Sequence, residues 1–185
     1  LKRDRWIDQR MDFERATTAA ISYLRDLHEL FGDWNTALAA YNSGEGRVLR
    51  IINRQRSEFM DEFWDLYLQL PSETARYVPR FHAVLQIVGD PEKYGFTDLP
   101  EPLPPLEYDT LTVDRQMKLS DIAARLGVTN DEIELLNAEL RSKITPAYPY
   151  VLRVPKGTGE RMKQILSAIP ETRETDMHDV VIKSL

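Results

Sequence analysis

The spacing of apolar residues predicts helices throughout the first half of the chain. Helices are predicted at Glu14–Phe31, Trp34–Tyr41, Val48–Ile52, Phe59–Leu70 and Tyr77–Val88. In each of them apolar residues recur every three or four positions, so they fall on one face of a helix. No alternating strand pattern occurs before residue 105, and this part of the chain is therefore predicted to be all-α.

The residues after 105 show a different order of short elements. Strands are predicted at 111–113 and 150–155, and helices at 119–126 and 129–136, which gives a β-α-α-β order. Thr129 and Glu132 have the spacing of a capping box at the start of the second helix. A further amphipathic helix is predicted over 157–169. Val180-Val181-Ile182 is strand-like, but its terminal position favours a frayed end.

A proline-rich stretch separates these two patterns. Four of the six residues from Pro100 to Pro105 are prolines, which is typical of an extended, semi-rigid connector. We therefore predict a helical domain at 1–96, a linker at 97–110, a small α+β domain at 111–170 and a tail at 171–185.

Composition narrows the class of partner. The chain has 185 residues, 42% of them hydrophobic, and a net charge of −6, so a nucleic acid or an anionic membrane surface is not expected as its main partner. An uncharged polymer such as a glycan fits better. The sequence has no cysteine, which excludes disulfides and thiolate metal sites. It has no apolar run long enough to span a bilayer, so membrane association would need an anchor outside this chain.

Candidate chemistry lies in two stretches of the helical part. A helix predicted to end near Gly44 exposes Tyr41 and Asn42, an aromatic ring beside a carboxamide, which suits the apolar face and the polar groups of a sugar. Glu73 and Tyr77 open the last helix of this part. From the residues alone, each stretch has a purely structural alternative. Tyr41 and Asn42 could form an ordinary helix end with a core tyrosine, and Glu73 could be a carboxylate that interacts favourably with the helix dipole. The three histidines show no metal-ligand spacing.

Several stretches together carry a family resemblance. The runs ALAAYNSGEGRV and LPSETARYVPR, with Trp6–Asp12, Ala16–Leu24 and Phe31–Trp34 in the same order, cover residues 1–95. They resemble the goose-lysozyme-like (SLT) catalytic domain of lytic transglycosylases, in particular the membrane-bound lytic murein transglycosylase D family. The resemblance implies a mainly α fold, in which a partial lysozyme-like helical domain precedes the small α+β domain.

The resemblance also implies a reaction and a set of site residues. The family cleaves the β-1,4 bond between N-acetylmuramic acid and N-acetylglucosamine in peptidoglycan, forms 1,6-anhydromuramyl products, and needs no metal or cofactor. It implies that Tyr41 supports the catalytic acid and the sugar, and that Asn42 shapes the adjoining wall. Glu73 and Tyr77 match a second motif that contacts N-acetyl or peptide groups. It further implies a location in the periplasm or cell envelope of a Gram-negative bacterium, and attachment to the outer membrane is compatible with it.

One departure from the family pattern concerns the catalytic acid. The family has a Glu-Ser motif and then a Gly-Leu-(Trp/Met)-Gln motif, both upstream of the segment matching Trp6–Arg10, and this sequence contains neither. We therefore expect the general-acid glutamate to lie upstream of Leu1, in a missing N-terminal segment, and this chain alone to be inactive. Glu45 is the nearest carboxylate within the chain. Its glycine-flanked turn predicts an ordinary pKa, which argues against it as the acid.

The β-α-α-β part has two interpretations. A DNA-binding helix-turn-helix is one, but the acidic residues of the second helix (Asp131, Glu132, Glu134 and Glu139) would repel phosphates. The other is a resemblance to a LysM module, a family that binds N-acetylglucosamine glycans, carried by Ile122-Ala123, Gly127-Val128, Leu136-Asn137 and Val154-Pro155. The usual Gly-Asp-Thr turn after the first strand is replaced by Arg115–Lys118, so the module is degenerate and its glycan binding stays open.

Two further functions remain open at this point. The chain could belong to a noncatalytic peptidoglycan-binding protein on the same scaffold, which an upstream Glu-Ser motif would exclude. The LysM-like module could also serve as a packing surface instead of a glycan site.

Overall fold

The computed structural model describes residues 1–55 and 60–172. Contacts divide the chain into two compact units: a helical unit, Thr17–Leu103, and a C-terminal unit that combines Leu1–Ala16 with the chain from Pro104 onward. Residues 1–16 thus group with the C-terminal residues, although the sequence pattern assigned them to the domain 1–96. The boundary between the units falls within the stretch 97–110, which we keep as the proposed linker.

The helical unit is built from consecutive helices with short connections. They are α1 (Phe13–Phe31), which begins in the other unit, α2 (Trp34–Ser43), α3 (Glu45–Ile52), α4 (Phe63–Leu66), α5 (Ser72–Gly89) and a 3-10 turn at Glu92–Tyr94. The mainly α prediction for this region is confirmed.

The core of the helical unit forms around α2. Ala37, Ala39 and Ala40 are fully buried, and their small side chains allow the neighbouring helices to approach closely. Phe63 and Val78 pack into the same cluster from α4 and α5. Asp33 caps α2, because its carboxylate accepts hydrogen bonds from the backbone N–H groups of the first turn.

The fourth helix is shorter than its apolar spacing predicted. The sequence pattern indicated a helix through Leu70, but α4 spans only Phe63–Leu66 and gives way to turns. Phe63, Leu66 and Leu70 are nevertheless buried, as that spacing requires, whereas Leu68 is 93% exposed. Pro71 then fixes the backbone before α5, which limits how far the turn can extend. Phe59, the first residue of the predicted stretch, lies outside the described residues.

The C-terminal unit has the predicted β-α-α-β order. Its elements are β1 (Tyr108–Val113), α6 (Leu119–Leu126), α7 (Asn130–Leu136), β2 (Tyr150–Pro155), α8 (Gly159–Ile165) and a 3-10 turn at Leu166–Ala168. The strands pair antiparallel, with Leu111 opposite Leu152. The capping box of Thr129 and Glu132 at the start of α7 is present. The helix predicted over 157–169 is therefore split into α8 and the 3-10 turn.

Alternation along the strands sets the core of this unit. Leu111, Val113, Leu152 and Val154 are buried against α6, α7 and α8, while Thr112 on the other face is exposed. Residues 1–16 add to the unit through a backbone bridge between Ile7 and Leu140 and the burial of the Ile7 side chain in the same core. The strand-like run at 180–182 lies outside the described residues. In the part of the chain that the structure describes, no helix is long and apolar enough to cross a membrane.

Candidate functional site

The site is organised by the sharp turn between α2 and α3. Gly44 has φ +87, a conformation that side chains disfavour, and this lets α3 begin directly after α2 ends. The Gly44 N–H donates to the Ala40 carbonyl at 2.7 Å, and the Gly44 carbonyl accepts from the Arg47 N–H at 3.1 Å. The last turn of α2, which carries Tyr41 and Asn42, is therefore held against the start of α3.

Three side chains from three helices meet beside this turn. The rings of Tyr23 on α1 and Tyr41 on α2 lie 5.8 Å apart between centroids, and both rings are partly exposed. The Tyr23 hydroxyl donates to Glu45 Oε2 at 2.5 Å. We call Tyr23, Tyr41 and Glu45 the tyrosine–glutamate cluster. It places a partly exposed aromatic ring next to a carboxylate, an arrangement that is compatible with sugar binding.

The hydrogen bond within the cluster changes the acidity of both partners. It is the main cause that lowers the pKa of Glu45 and the main cause that raises the pKa of Tyr23. The ordinary pKa predicted for Glu45 was therefore wrong in detail. A carboxyl with a lowered pKa is ionised at neutral pH, so Glu45 cannot act as a proton donor there. The expectation that it is not the general acid becomes stronger.

A second hydrogen bond joins the two stretches that the sequence singled out. The Thr74 hydroxyl on α5 donates to Asn42 Oδ1 at 2.8 Å, and Thr74 is 2% exposed. Asn42 is thus tied to the first turn of α5, directly beside Glu73. Glu73 is exposed, whereas Tyr77, one turn further along, is half-buried against the core of the helical unit. All four predicted residues belong to the helices α2 and α5, and their roles in binding stay predictions.

Sequence reasoning gave Tyr23 and Thr74 no role at the site. Tyr23 is 22 positions from Glu45 and Thr74 is 32 positions from Asn42, so no local pattern links the partners. Both sit in helices whose existence was predicted. Their pairing depends on how α1 and α5 pack beside α2, which periodicity does not define.

The turn after β1 in the C-terminal unit also has a structural role. Arg115 donates to the carbonyls of Leu166 and Ile169, which caps the end of the 3-10 turn. Thr145 ties the same turn down: its hydroxyl donates to the Arg115 carbonyl at 2.6 Å and accepts from the Met117 N–H at 2.9 Å. The residues that replace the Gly-Asp-Thr turn are therefore engaged in packing.

Comparison with known proteins matches two family models to two separate stretches of the chain. The family model of the transglycosylase SLT domain matches residues 1–63, and that of the LysM-like domain of lytic transglycosylase MltD matches residues 107–171. The chain is 32% identical over 172 residues to membrane-bound lytic murein transglycosylase D from Escherichia coli strain K12, and equally to that from a strain of serotype O6:H1. The chain is therefore similar to lytic murein transglycosylase D in both of its parts.

The similarity extends over most of this chain but over a smaller part of each relative. The alignment covers 91% of this chain but 37% of each relative, so the chain spans well under half of the length of these proteins. The SLT match includes Tyr23, Tyr41, Asn42 and Glu45. The LysM-like match covers the whole β-α-α-β order, which favours the LysM interpretation over the helix-turn-helix.

Proposed function

We propose that the protein containing this chain is a peptidoglycan lytic transglycosylase. It cleaves the β-1,4 bond between N-acetylmuramic acid and N-acetylglucosamine and releases 1,6-anhydromuramyl ends. The match of residues 1–63 to a transglycosylase domain carries this proposal. The partial exposure of Tyr41, beside the sharp turn at Gly44, supports the proposal that this residue contacts the sugar.

The reaction needs one glutamic acid and no external nucleophile. The acid protonates the glycosidic oxygen, which leaves with N-acetylglucosamine as the bond to the muramyl anomeric carbon breaks. The muramyl 6-hydroxyl oxygen bonds to that carbon, and its proton returns to the carboxylate. Atoms and charges balance, because the proton given to the leaving group is replaced by the one from the 6-hydroxyl. The acid is proposed to be the family's Glu-Ser glutamate, outside residues 1–185.

The residues of this chain would position the sugar and the acid. Tyr41 offers a ring face and a hydroxyl, and its ring contact with Tyr23 limits how far it can move. Asn42, oriented by Thr74, holds the wall between α2 and α5. The exposed Glu73 can accept hydrogen bonds from N-acetyl or peptide N–H groups. Tyr77, one turn further along the same helix, is proposed to contact the same groups of the substrate.

The partner and location follow from the same proposal. The substrate is the glycan strand of peptidoglycan, and nucleic acid is not a partner. The relatives are named as membrane-bound murein transglycosylases, so we infer a cell-envelope location in a Gram-negative bacterium, on the periplasmic side. An outer-membrane anchor and a segment supplying the acid would lie outside residues 1–185.

The proposal is tested with full-length protein that carries the Glu-Ser motif. Tyr41→Ala should lower kcat/KM for release of anhydromuramyl products from purified peptidoglycan by about 100-fold, since it removes a group that positions the reacting atoms. Tyr94→Ala is the matched control, because Tyr94 is 42% exposed and Tyr41 38%. It should keep activity within about twofold. Products are quantified by chromatography and mass.

Two results would overturn parts of this proposal. Turnover of Tyr41→Ala equal to that of the wild type would remove the assignment of Tyr41. Peptidoglycan binding by the full-length protein without any anhydro product would instead favour the noncatalytic binding protein.

A further inference from the structure

A cavity in the C-terminal unit lies outside the proposed sugar site. It is open to solvent on one side and has a volume of about 430 Å³, within the range of small-molecule sites. Thr110 on β1 and Val151 on β2 line it, on the strand face opposite the core, and Lys2 and Gln9 of the N-terminal segment line it as well. Nothing in the proposed transglycosylase reaction uses this cavity, and the inference below does not rest on that reaction.

A buried carboxylate lines the cavity. Glu139 is 4% exposed, and its Oε1 accepts from the Tyr150 hydroxyl at 2.8 Å. Its other oxygen, Oε2, is buried and has no hydrogen-bond partner in the part of the chain that the structure describes. Buried carboxylate oxygens are almost always paired, so an unpartnered one beside a cavity indicates a group that accepts from a ligand.

The Tyr150 hydroxyl cannot donate a hydrogen bond to Glu139 Oε2 as well. Its hydroxyl lies 2.8 Å from Glu139 Oε1 and 3.2 Å from Asn137 Oδ1, so one hydrogen already faces two acceptors. Burial, and then the charge of Glu139, raise the pKa of Tyr150 well above its usual range. The phenol therefore stays neutral and adds no further charge to the cavity.

The cations around the cavity already pair with other carboxylates. Arg153 contacts Asp12 at 2.9 Å and Glu14 at 3.1 Å, with its guanidinium over the Tyr108 ring. Arg15 lies 3.3 Å from Asp12, and Lys2 lies 2.9 Å from Asp4. Among residues 1–55 and 60–172, no Lys, Arg or His is within ion-pair distance of the Glu139 carboxylate.

We propose that this cavity binds a small molecule through a primary ammonium group placed against Glu139. An ammonium supplies both a donor for Oε2 and a charge for a desolvated carboxylate, whereas a neutral hydroxyl supplies only the donor. Tyr108 and Tyr148 line the cavity, and each ring already faces a cation of the chain. Arg153 lies over Tyr108, and Lys2 Nζ lies 4.8 Å from the centroid of the Tyr148 ring. The amine of an amino acid side chain and that of an amino sugar share this chemistry.

Matched ligands test the proposal on the wild-type chain. Nα-acetyl-lysine is compared with Nα,Nε-diacetyl-lysine, and glucosamine with N-acetylglucosamine, by titration into labelled protein at neutral pH with chemical-shift readout. We expect at least one free amine to bind about tenfold more tightly than its acetylated partner, because charge-assisted hydrogen bonds are the stronger kind. Whichever pair shows the difference identifies the source of the amine.

Variants then locate the binding. Glu139→Gln keeps the shape of the side chain and should weaken amine binding about tenfold, while Glu101→Gln, the same charge change at an exposed linker position, should leave it unchanged. Equal binding of the free and acetylated ligands, or no shifts at tens of millimolar amine, would overturn the proposal. The ligand comparison uses unaltered protein, so a poorly folded Glu139→Gln variant would not remove the test.

Discussion

The two units bury their apolar residues to different extents. In the helical unit the second half of α5 leaves Val84, Leu85 and Val88 more than half exposed. In the described residues of the C-terminal unit the exposed large apolar side chains are scattered: Leu1, Met11, Phe13, Leu106, Leu135 and Val151. The C-terminal unit therefore closes around its own core, whereas the helical unit carries an apolar stripe along α5.

The difference shows what apolar periodicity does and does not predict. The same three- and four-residue spacing produced the buried first half of α5, with Ala75 and Val78, and its exposed second half. Periodicity therefore predicts a helix and its face but not what covers that face. A contiguous exposed apolar stripe is typical of a surface on which another surface packs.

The largest expected effect on the free energy of unfolding comes from the core of the helical unit, and an exposed aromatic residue on α5 provides the contrast. Phe63 is fully buried, so Phe63→Ala should lower the free energy of unfolding by about 3–5 kcal/mol through lost burial and a cavity. Phe81→Ala, at a side chain 38% exposed, should cost less than about 1.5 kcal/mol. Urea denaturation followed by circular dichroism measures both.

This pair of variants tests whether the apolar stripe along α5 is exposed in solution. If Phe81→Ala costs as much as Phe63→Ala, the α5 stripe is covered in solution and the units do not differ in the way described. Repeating the measurement at two protein concentrations distinguishes self-association, which makes the cost concentration-dependent.

An ion pair should give the next largest effect, in the C-terminal unit. Asp12 is 1% exposed and contacts Arg153, whose side chain is 12% exposed. Removing one partner leaves the other charged and buried, so Arg153→Met should cost about 3 kcal/mol. Asp12→Asn keeps an oxygen for the Arg15 N–H at the start of α1 and should cost about the same through the lost charge.

The double variant sharpens this prediction. Asp12→Asn with Arg153→Met should cost less than the sum of the single changes, because neither buried charge is then left without the other. Arg15 and Glu14, which lose these partners, are partly exposed to solvent. Additive costs would show that the two side chains contribute to stability separately and do not act as a pair.

The helix and strand order could be predicted from the sequence, but much of the candidate site could not. Tyr41, Asn42 and Glu73 were identified because a helix break and a helix start are local features, marked by Gly44 and Pro71. Tyr23 and Thr74 were not, because their contacts join helices far apart in sequence. Glu139 was seen only as one of several acidic residues, and nothing local shows that its carboxylate is buried beside a cavity.

The shortening of α4 has the same cause as these omissions. Its apolar residues have helical spacing and are buried, yet the backbone turns after Leu66. Which residues are buried was therefore easier to predict than the backbone that buries them, since several backbone conformations bring Phe63, Leu66 and Leu70 to one side.

The smallest expected effect compares one helix cap from each unit. Asp33→Ala at α2 and Thr129→Ala at α7 should each cost about 1 kcal/mol at pH 7, because each removes a side-chain acceptor from a first-turn N–H. The two caps differ in pH dependence. Burial raises the pKa of Asp33, but hydrogen bonds from Thr36 and from the backbone together outweigh it, so the net pKa is lowered.

A lowered folded-state pKa means that the charge of Asp33 stabilises the fold above the unfolded pKa of about 3.9, and that this contribution disappears as the pH falls through the folded value. The advantage of wild type over Asp33→Asn should therefore be present at pH 7 and should shrink as the pH falls below about 4. Denaturation curves at closely spaced pH values measure this. A pH-independent difference would mean that the amide oxygen caps α2 as well as the carboxylate does, leaving no charge contribution to α2.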